Sequence, residues 1–325
     1  MSDNKQTTRS HYLPKTYLKH FLNENSLVMY KKGKNFFKEG ITQEQRIHFV
    51  FSEEALVNIG VDNGIYNPNI QNISSDDLEG IFQECGENVY DELIKSLELA
   101  PENSSIPDDI KRKLCLFMAA MRVRTPQFKS EINDIGEKFY KFIAKMHFGN
   151  LSVEEIKKAC KNDLKKEVSL NFAKKLKDMA KNQNYKVKFP NAHFIKQALL
   201  LLDKNADIFY KMRMNVVKSK RFFVTSDNPV VYFVPKEKTN FYNSARSLMS
   251  PYTELFFPLT KNMSVTLNRK LAEEKIMTVN RDIVDIFNYN ISYNSFDFIF
   301  SPIRMNFLET FIREFQPYPF ELSIN

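Results

Sequence analysis

The sequence predicts an α+β protein, with a helical middle packed against a mostly antiparallel sheet formed largely by the C-terminal half. Three observations carry this expectation. Between residues 75 and 210 apolar side chains recur at three- and four-residue spacing, the period of helices. After Arg213 the period changes to short runs rich in Val, Phe and Tyr, as in "MNVVK", "RFFVTS", "PVVYFV", "ELFFPLT" and "MSVTLN", with polar turns between them. Two similar runs near the N-terminus, "SLVMYKK" and "RIHFVF", offer further strands, so the β-containing ends are expected to share a sheet. The organisation expected is a single domain over 11–325 with a lysine-rich helical insertion at about 152–185. The alternative is two domains divided near Lys186.

In chain order, residues 1–10 are polar and read as a mobile tail. Pro14 suits the first turn of a short helix carrying Tyr12, Tyr17, Leu18, Phe21 and Leu22 near helical spacing. The two N-terminal strands are separated by the Gly33-Lys34-Asn35 turn and Gly40, and "DNGIYNPN" is a loop. Ser75 is the expected N-cap of a long helix to Leu99, whose Leu78, Ile81, Phe82, Val89, Leu93 and Leu97 mark one face. Asp108 opens a helix that is apolar nearly all round from Leu114 to Met121, the pattern of a central buried helix, and Pro126 bounds it. A further helix is stopped by Gly149-Asn150.

Ser152 and Glu155 form a capping box. They precede a lysine-rich amphipathic helix with a docking stripe of Val153, Ile156, Leu164, Val168, Phe172 and Leu176. Its charges form either a solvated face or a nucleic-acid-binding surface. "NAHFIKQALLLLDKNADIFYKMR" is another buried helix. Beyond the strands that follow, "NRDIVDIFNYNISYN" is a helix, "FDFIFSP" a strand and "MNFLETFIREF" a last helix.

Composition narrows the function classes. Apolar residues make up 43%, with 29 Phe and 14 Tyr, so the chain is rich enough in apolar area to fold. It has only 8 Gly, and neither GxGxxG nor GxxxxGK[ST] occurs, so no nucleotide cofactor is expected. The net charge of +8 suits RNA or another phosphate-rich partner. Cys85, Cys115 and Cys160 are far apart with no CxxC pair, which suggests no disulfide framework or zinc site and fits a reducing cytoplasm. No apolar run approaches the ~20 residues of a membrane span, so no membrane partner is expected.

Several short motifs recur in a recognisable order. "HYLPKTYLKHF", "RVRTPQF", "TSDNPVV", "FPLT" and "RDIVDIFNYNISYNSFDFIFSP" resemble the landmarks of the bacterial family called domain of unknown function 4238. The resemblance spans most of the chain apart from the lysine-rich middle. It implies positions rather than an activity: His11, Tyr12, Pro14, Arg124, Pro126, Ser226, Asp227, Pro229, Pro258 and Leu259.

Residue chemistry then nominates candidates. His11, before the Pro14 helix, suits general acid/base work, or else caps the helix start. Arg124, with Arg122 beside it, ends the most apolar helix, where the guanidinium either binds phosphate or pairs with Asp227. Ser226, Asp227 and Asn228 leave a hydrophobic strand at its edge, and either bond their own turn or line a site in which Asp227 orients His11. Tyr12, Arg122, Ser226 and Asn228 are the substrate-binding candidates. Metal ligation is left open, since no HExxH or D-x-D cluster is present.

Two functional readings follow. One is a metal-independent ribonuclease-like effector in a bacterial defence or toxin setting, with His11, Arg124 and Asp227 as its catalytic group. The other is a non-catalytic binding or regulatory module that recognises an acidic partner or a protein surface. They differ in whether those three side chains meet in one accessible pocket.

Overall fold

The computed structural model describes residues 9–32, 47–50, 54–63, 75–163, 165, 167–239 and 247–314. The chain divides into two compact units, Met1–Phe128 with Ile195–Asn325, and Lys129–Phe194. The lysine-rich segment falls within the second. The fold is α+β, with strands concentrated in the C-terminal half and helices in the middle.

The chain opens with β1 (Arg9–His11), a short helix α1 (Lys15–Leu18), β2 (Leu27–Lys31), β3 (Ile47–Val50) and β4 (Val61–Asn63). The expected tail therefore ends sooner, because Arg9 and Ser10 already pair with Asn63 and Asp62. Residues 1–8, Gly33–Asn35, Gly40 and residues 64–69 of the expected loop lie outside the described residues.

The long helix expected from Ser75 to Leu99 is two helices, α2 (Ser75–Glu84) and α3 (Tyr90–Leu99), joined by a 3-10 turn. Gly86 makes the break, with φ at 126°, a backbone region hostile to side chains. A Cβ there would also lie 3.2 Å from Phe117 Cβ. The central helix α4 (Asp108–Val123) is as expected, with Leu114, Phe117, Met118 and Met121 fully buried.

The helices α5 (Pro126–Phe148), α6 (Val153–Asp163), α7 (Leu170–Asn182) and α8 (Asn191–Tyr210) follow. The lysine-rich stretch thus holds two helices rather than one. Ser152 and Glu155 make the capping box, with Ser152 N–H donating to Glu155 Oε2 at 2.7 Å. Ser169 caps a second start by accepting from Phe172 N–H at 3.2 Å. Ile156, Cys160 and Ala173 form the seam, with Val153, Val168 and Leu176 around it. Phe172 points outward instead, and the side chain of Leu164 lies outside the described residues.

Next come β5 (Arg213–Lys218), β6 (Thr225–Ser226), β7 (Val231–Phe233), β8 (Glu254–Thr260), β9 (Met263–Asn268) and β10 (Ile276–Thr278). Helix α9 (Arg281–Asn294), β11 (Phe298–Ser301) and α10 (Asn306–Glu314) complete the described chain. Of "RFFVTS", only Thr225 and Ser226 are strand.

The strands form two main sheets instead of one. One runs β10-β5-β9-β8-β7, antiparallel except for the β10–β5 pair, and the other runs β3-β2-β11-β6. The second joins the two β-containing ends directly, through Phe298↔Lys31 to Ser301↔Val28. No helix among the described residues is long and apolar enough to cross a membrane.

Tyr17 of α1 links the sheets. Its hydroxyl donates to the Pro258 carbonyl on β8 at 2.8 Å and, with its one proton so used, accepts from Thr225 Oγ1 on β6 at 2.6 Å. Its ring stacks on Phe257 at 5.5 Å and meets Tyr90 edge-on at 5.9 Å. Tyr90 in turn donates to the Leu259 carbonyl at 2.6 Å. Tyr17→Phe keeps the ring and strands two buried polar groups, so urea unfolding should show a loss of about 1–3 kcal/mol. A variant as stable as the wild type would mean that the hydroxyl link contributes nothing.

Candidate functional site

The candidate residues fall into two clusters, buried except for His11, which is half-buried. In the first, Arg124 follows the last turn of α4, buried and ion-paired with Glu87. Its guanidinium also donates to the His11 carbonyl and lies 4.9 Å from the Phe82 ring centroid. His11 and Arg124 are therefore brought together, but through the histidine's backbone. Tyr12 is buried, and its N–H donates to Gly60 O at 2.7 Å. Arg122 donates to the Tyr232 hydroxyl at 2.7 Å, with its guanidinium 4.5 Å from that ring's centroid.

The second cluster surrounds Asp227, fully enclosed behind β6. Its carboxylate accepts three backbone N–H groups, from Phe296 at 2.8 Å, Asp297 at 2.6 Å and Phe298 at 2.9 Å. The expected ion pair with Arg124 is not formed, because those three donors supply the compensation that a buried carboxylate needs. Asn228 donates to Asn294 O at 2.8 Å, and Ser226 Oγ accepts from Asn228 N–H at 3.2 Å. Buried Lys32 donates from Nζ to the carbonyls of Ser292, Tyr293 and Ser295 at 2.6–3.0 Å, placing a cation at the negative end of α9. Together these groups clamp the α9–β11 junction.

Burial pushes the Asp227 carboxyl up to about 7, against the pull of the three N–H donors and with the Asp297 charge acting in the same sense as burial. Burial likewise pushes the Cys85 thiol up to about 11 and the Cys115 thiol up to about 12, so neither is a ready thiolate. Among the described residues no group of three or more His, Cys, Asp or Glu could hold a metal ion.

Open space lies elsewhere. A groove of about 1040 Å³ runs between α9, the turn at 220–222 and residues 303–307. Lys220, Arg221, Arg281 and Arg304 line it, with Asp285 the one carboxylate among the described lining residues. Arg281 pairs with Asp285, and Arg304 with Glu309. Between the cations lie Phe222, Ile286, Tyr289, Ile303, Met305 and Phe307, and Tyr289 is 55% exposed.

Asn288 fixes one wall, accepting from Val224 N–H and donating to Phe222 O, both at 2.9 Å. The clamp around Asp227 holds the far end of the same helix. None of the seven candidate residues lines this groove. The signals in the sequence were the Lys220-Arg221-Phe222 triplet and a second apolar face on α9, Ile286, Tyr289 and Tyr293, opposite its buried one.

The fold and groove define an α+β protein whose polar motifs lock its sheets and whose α9 groove is cationic and aromatic. Residues 9–304 match the model of a family described as a protein of unknown function, DUF4238, and the chain belongs to that family. No curated protein and no solved structure matches it.

Asp227→Asn can turn its carbonyl oxygen to the Asp297 and Phe298 N–H groups, but its amide NH2 then faces the Phe296 N–H. The variant should lose about 1–3 kcal/mol by denaturant titration, the cost of one unmet buried donor. The margin also depends on pH. The folded-state value near 7 lies above the ordinary 3.8, so the folded chain holds the proton over that interval and the unfolded chain does not. The wild type's advantage over Asp227→Asn should therefore shrink as pH rises from about 4 to about 7. Parallel stability curves across that interval would place the Asp227 carboxyl near its ordinary value.

Proposed function

We propose that this protein is a non-catalytic module that binds single-stranded nucleic acid in the α9 groove. The observation that carries the reading is the groove's lining, four cationic side chains interleaved with exposed rings. Lys220 and Arg221 have no carboxylate partner among the described residues, so both are available to phosphate oxygens. Tyr289, Phe307 and Phe222 offer flat apolar surface on which unpaired bases stack, which a duplex, with its bases already stacked, cannot use. Asp285, the one carboxylate among the described lining residues, is ion-paired with Arg281, and no His or Cys lies beside it there. Meanwhile Arg124 and Asp227, offered as catalytic residues, are buried in separate bonding clusters.

Fluorescence anisotropy with a labelled single-stranded RNA, its duplex form and inorganic polyphosphate tests the reading. Single strands should bind best. Neutralising two to four phosphates gives a log–log salt slope of about −1.4 to −2.8. Lys220→Glu with Arg221→Glu should abolish binding, and Tyr289→Ala should weaken it about 5- to 150-fold, the range of one lost stacking contact. Equal affinity for the duplex and the single strand would count against the stacking role. RNA shortening that is lost in His11→Ala would overturn the non-catalytic part.

A further inference from the structure

The lysine-rich segment has no part in the groove, and its charge is unevenly placed in the chain. Residues 129–194, the smaller compact unit, hold 15 Lys, no Arg and 8 Asp or Glu, a net +7 of the chain's +8. A general preference for lysine would spread the excess along the chain, yet the rest of it is left with +1. Within this unit α6 and α7 pack through Ile156, Cys160 and Ala173, which leaves most of their lysines exposed. Some are balanced: Lys161 pairs with Glu167, and Lys158 and Lys177 lie near Glu155. Lys174, Lys175 and Lys181 are exposed and have no carboxylate partner among the described residues. Lys174 and Lys181 stand two turns apart on one side of α7, about 10 Å along its axis, with Lys175 beside Lys174. Asp178 is the one carboxylate of the helix.

We infer that the exposed side of α7 is a second nucleic-acid contact, independent of the groove, that grips duplex phosphates without reading sequence. The residue type selects this partner. Interfaces between proteins are depleted in lysine and enriched in arginine and aromatic rings, the reverse of this surface. An anionic membrane calls for a free apolar helix face that can enter it. Helix α7 instead lays Ala173 and Leu176 against α6, and its exposed large apolar side chains are Leu170 and Phe172, both in the first turn. A lysine ammonium is a compact point charge on a flexible stem, which gives affinity for phosphate without base readout. A duplex carries one negative charge per ~1.7 Å, twice the density of one strand, so a surface of this kind favours the duplex. The groove, with its rings, favours unpaired bases.

Fluorescence anisotropy with a labelled duplex at low salt tests the inference, in the full chain carrying Lys220→Glu and Arg221→Glu to remove the groove's unpaired cations. In that background the duplex should still bind, alike for unrelated sequences. Three neutralised phosphates give a log–log salt slope of about −2.7. Adding Lys174→Gln with Lys181→Gln should flatten the slope by about 2 and weaken binding uniformly across sequences. Lys174→Arg with Lys181→Arg should keep it. These side chains face solvent, so melting by circular dichroism should stay unchanged. A groove variant that no longer binds duplex overturns the inference, and so does duplex binding indifferent to the glutamine pair. Capture by vesicles of anionic phospholipid in preference to the duplex would overturn the choice of partner. Duplex binding that depends on Lys174 and Lys181, in a wild type with no affinity for single strands, would support this contact and refute the groove.

Discussion

The hydroxyl of Tyr17 is the point at which the larger unit is tied together. A helix of one turn, too short to persist alone, lies where a four-stranded and a five-stranded sheet come close. Its tyrosine bonds one strand of each, Thr225 on β6 and Pro258 on β8. A buried hydroxyl left without a partner is unfavourable, so the bond restricts how the sheets can lie as well as holding them. Apolar contact alone would tolerate sliding. The surrounding rings of Phe257, Tyr90 and Phe117 give the site its apolar contact, and the hydroxyl gives it register.

A second buried polar centre works in the same way at the end of β6. Asp227 gathers the three N–H groups with which the chain leaves α9 and enters β11, and Lys32 gathers the carbonyls with which the helix ends. These are the backbone groups that a helix–strand corner would otherwise leave unmet. The consequence reaches the surface. The helix that the clamp holds forms a wall of the cationic groove, and Asn288 ties the 222–224 segment to its middle. A groove with walls set by buried bonds presents its cations and rings without first having to order them, which favours binding.

The short motifs singled out in the sequence take on a physical meaning here. "HYLPKTYLKHF" meets "TSDNP" and "FPLT" through Tyr17, and "RVRTPQF" meets "HYLPK" where Arg124 reaches the His11 carbonyl. Polar residues that looked catalytic by type act as cross-links between distant segments. The groove residues lie apart from these cross-links, on the outer face of α9 within "RDIVDIFNYNISYNSFDFIFSP" and on the turns beside it.

Much of the fold was legible in the sequence because it depends on local patterns. The all-round apolar run from Leu114 to Met121 can only be buried. The Ser152–Glu155 box can only start a helix, and the Val- and Phe-rich runs after Arg213 can only satisfy their period as strands. The need of Asp227 for a partner was also legible, since a charge beside such strands is costly to bury alone. The identity of that partner was not. It depends on how the 296–298 backbone, some seventy residues away in sequence, comes to lie against β6. The break at Gly86 likewise depends on the approach of Phe117, and the groove on residues from 220 to 307 meeting at one surface. Sequence determines which groups must be satisfied. Only the tertiary structure decides which groups satisfy them, because long-range neighbours are set by how the sheets and helices pack and not by spacing along the chain.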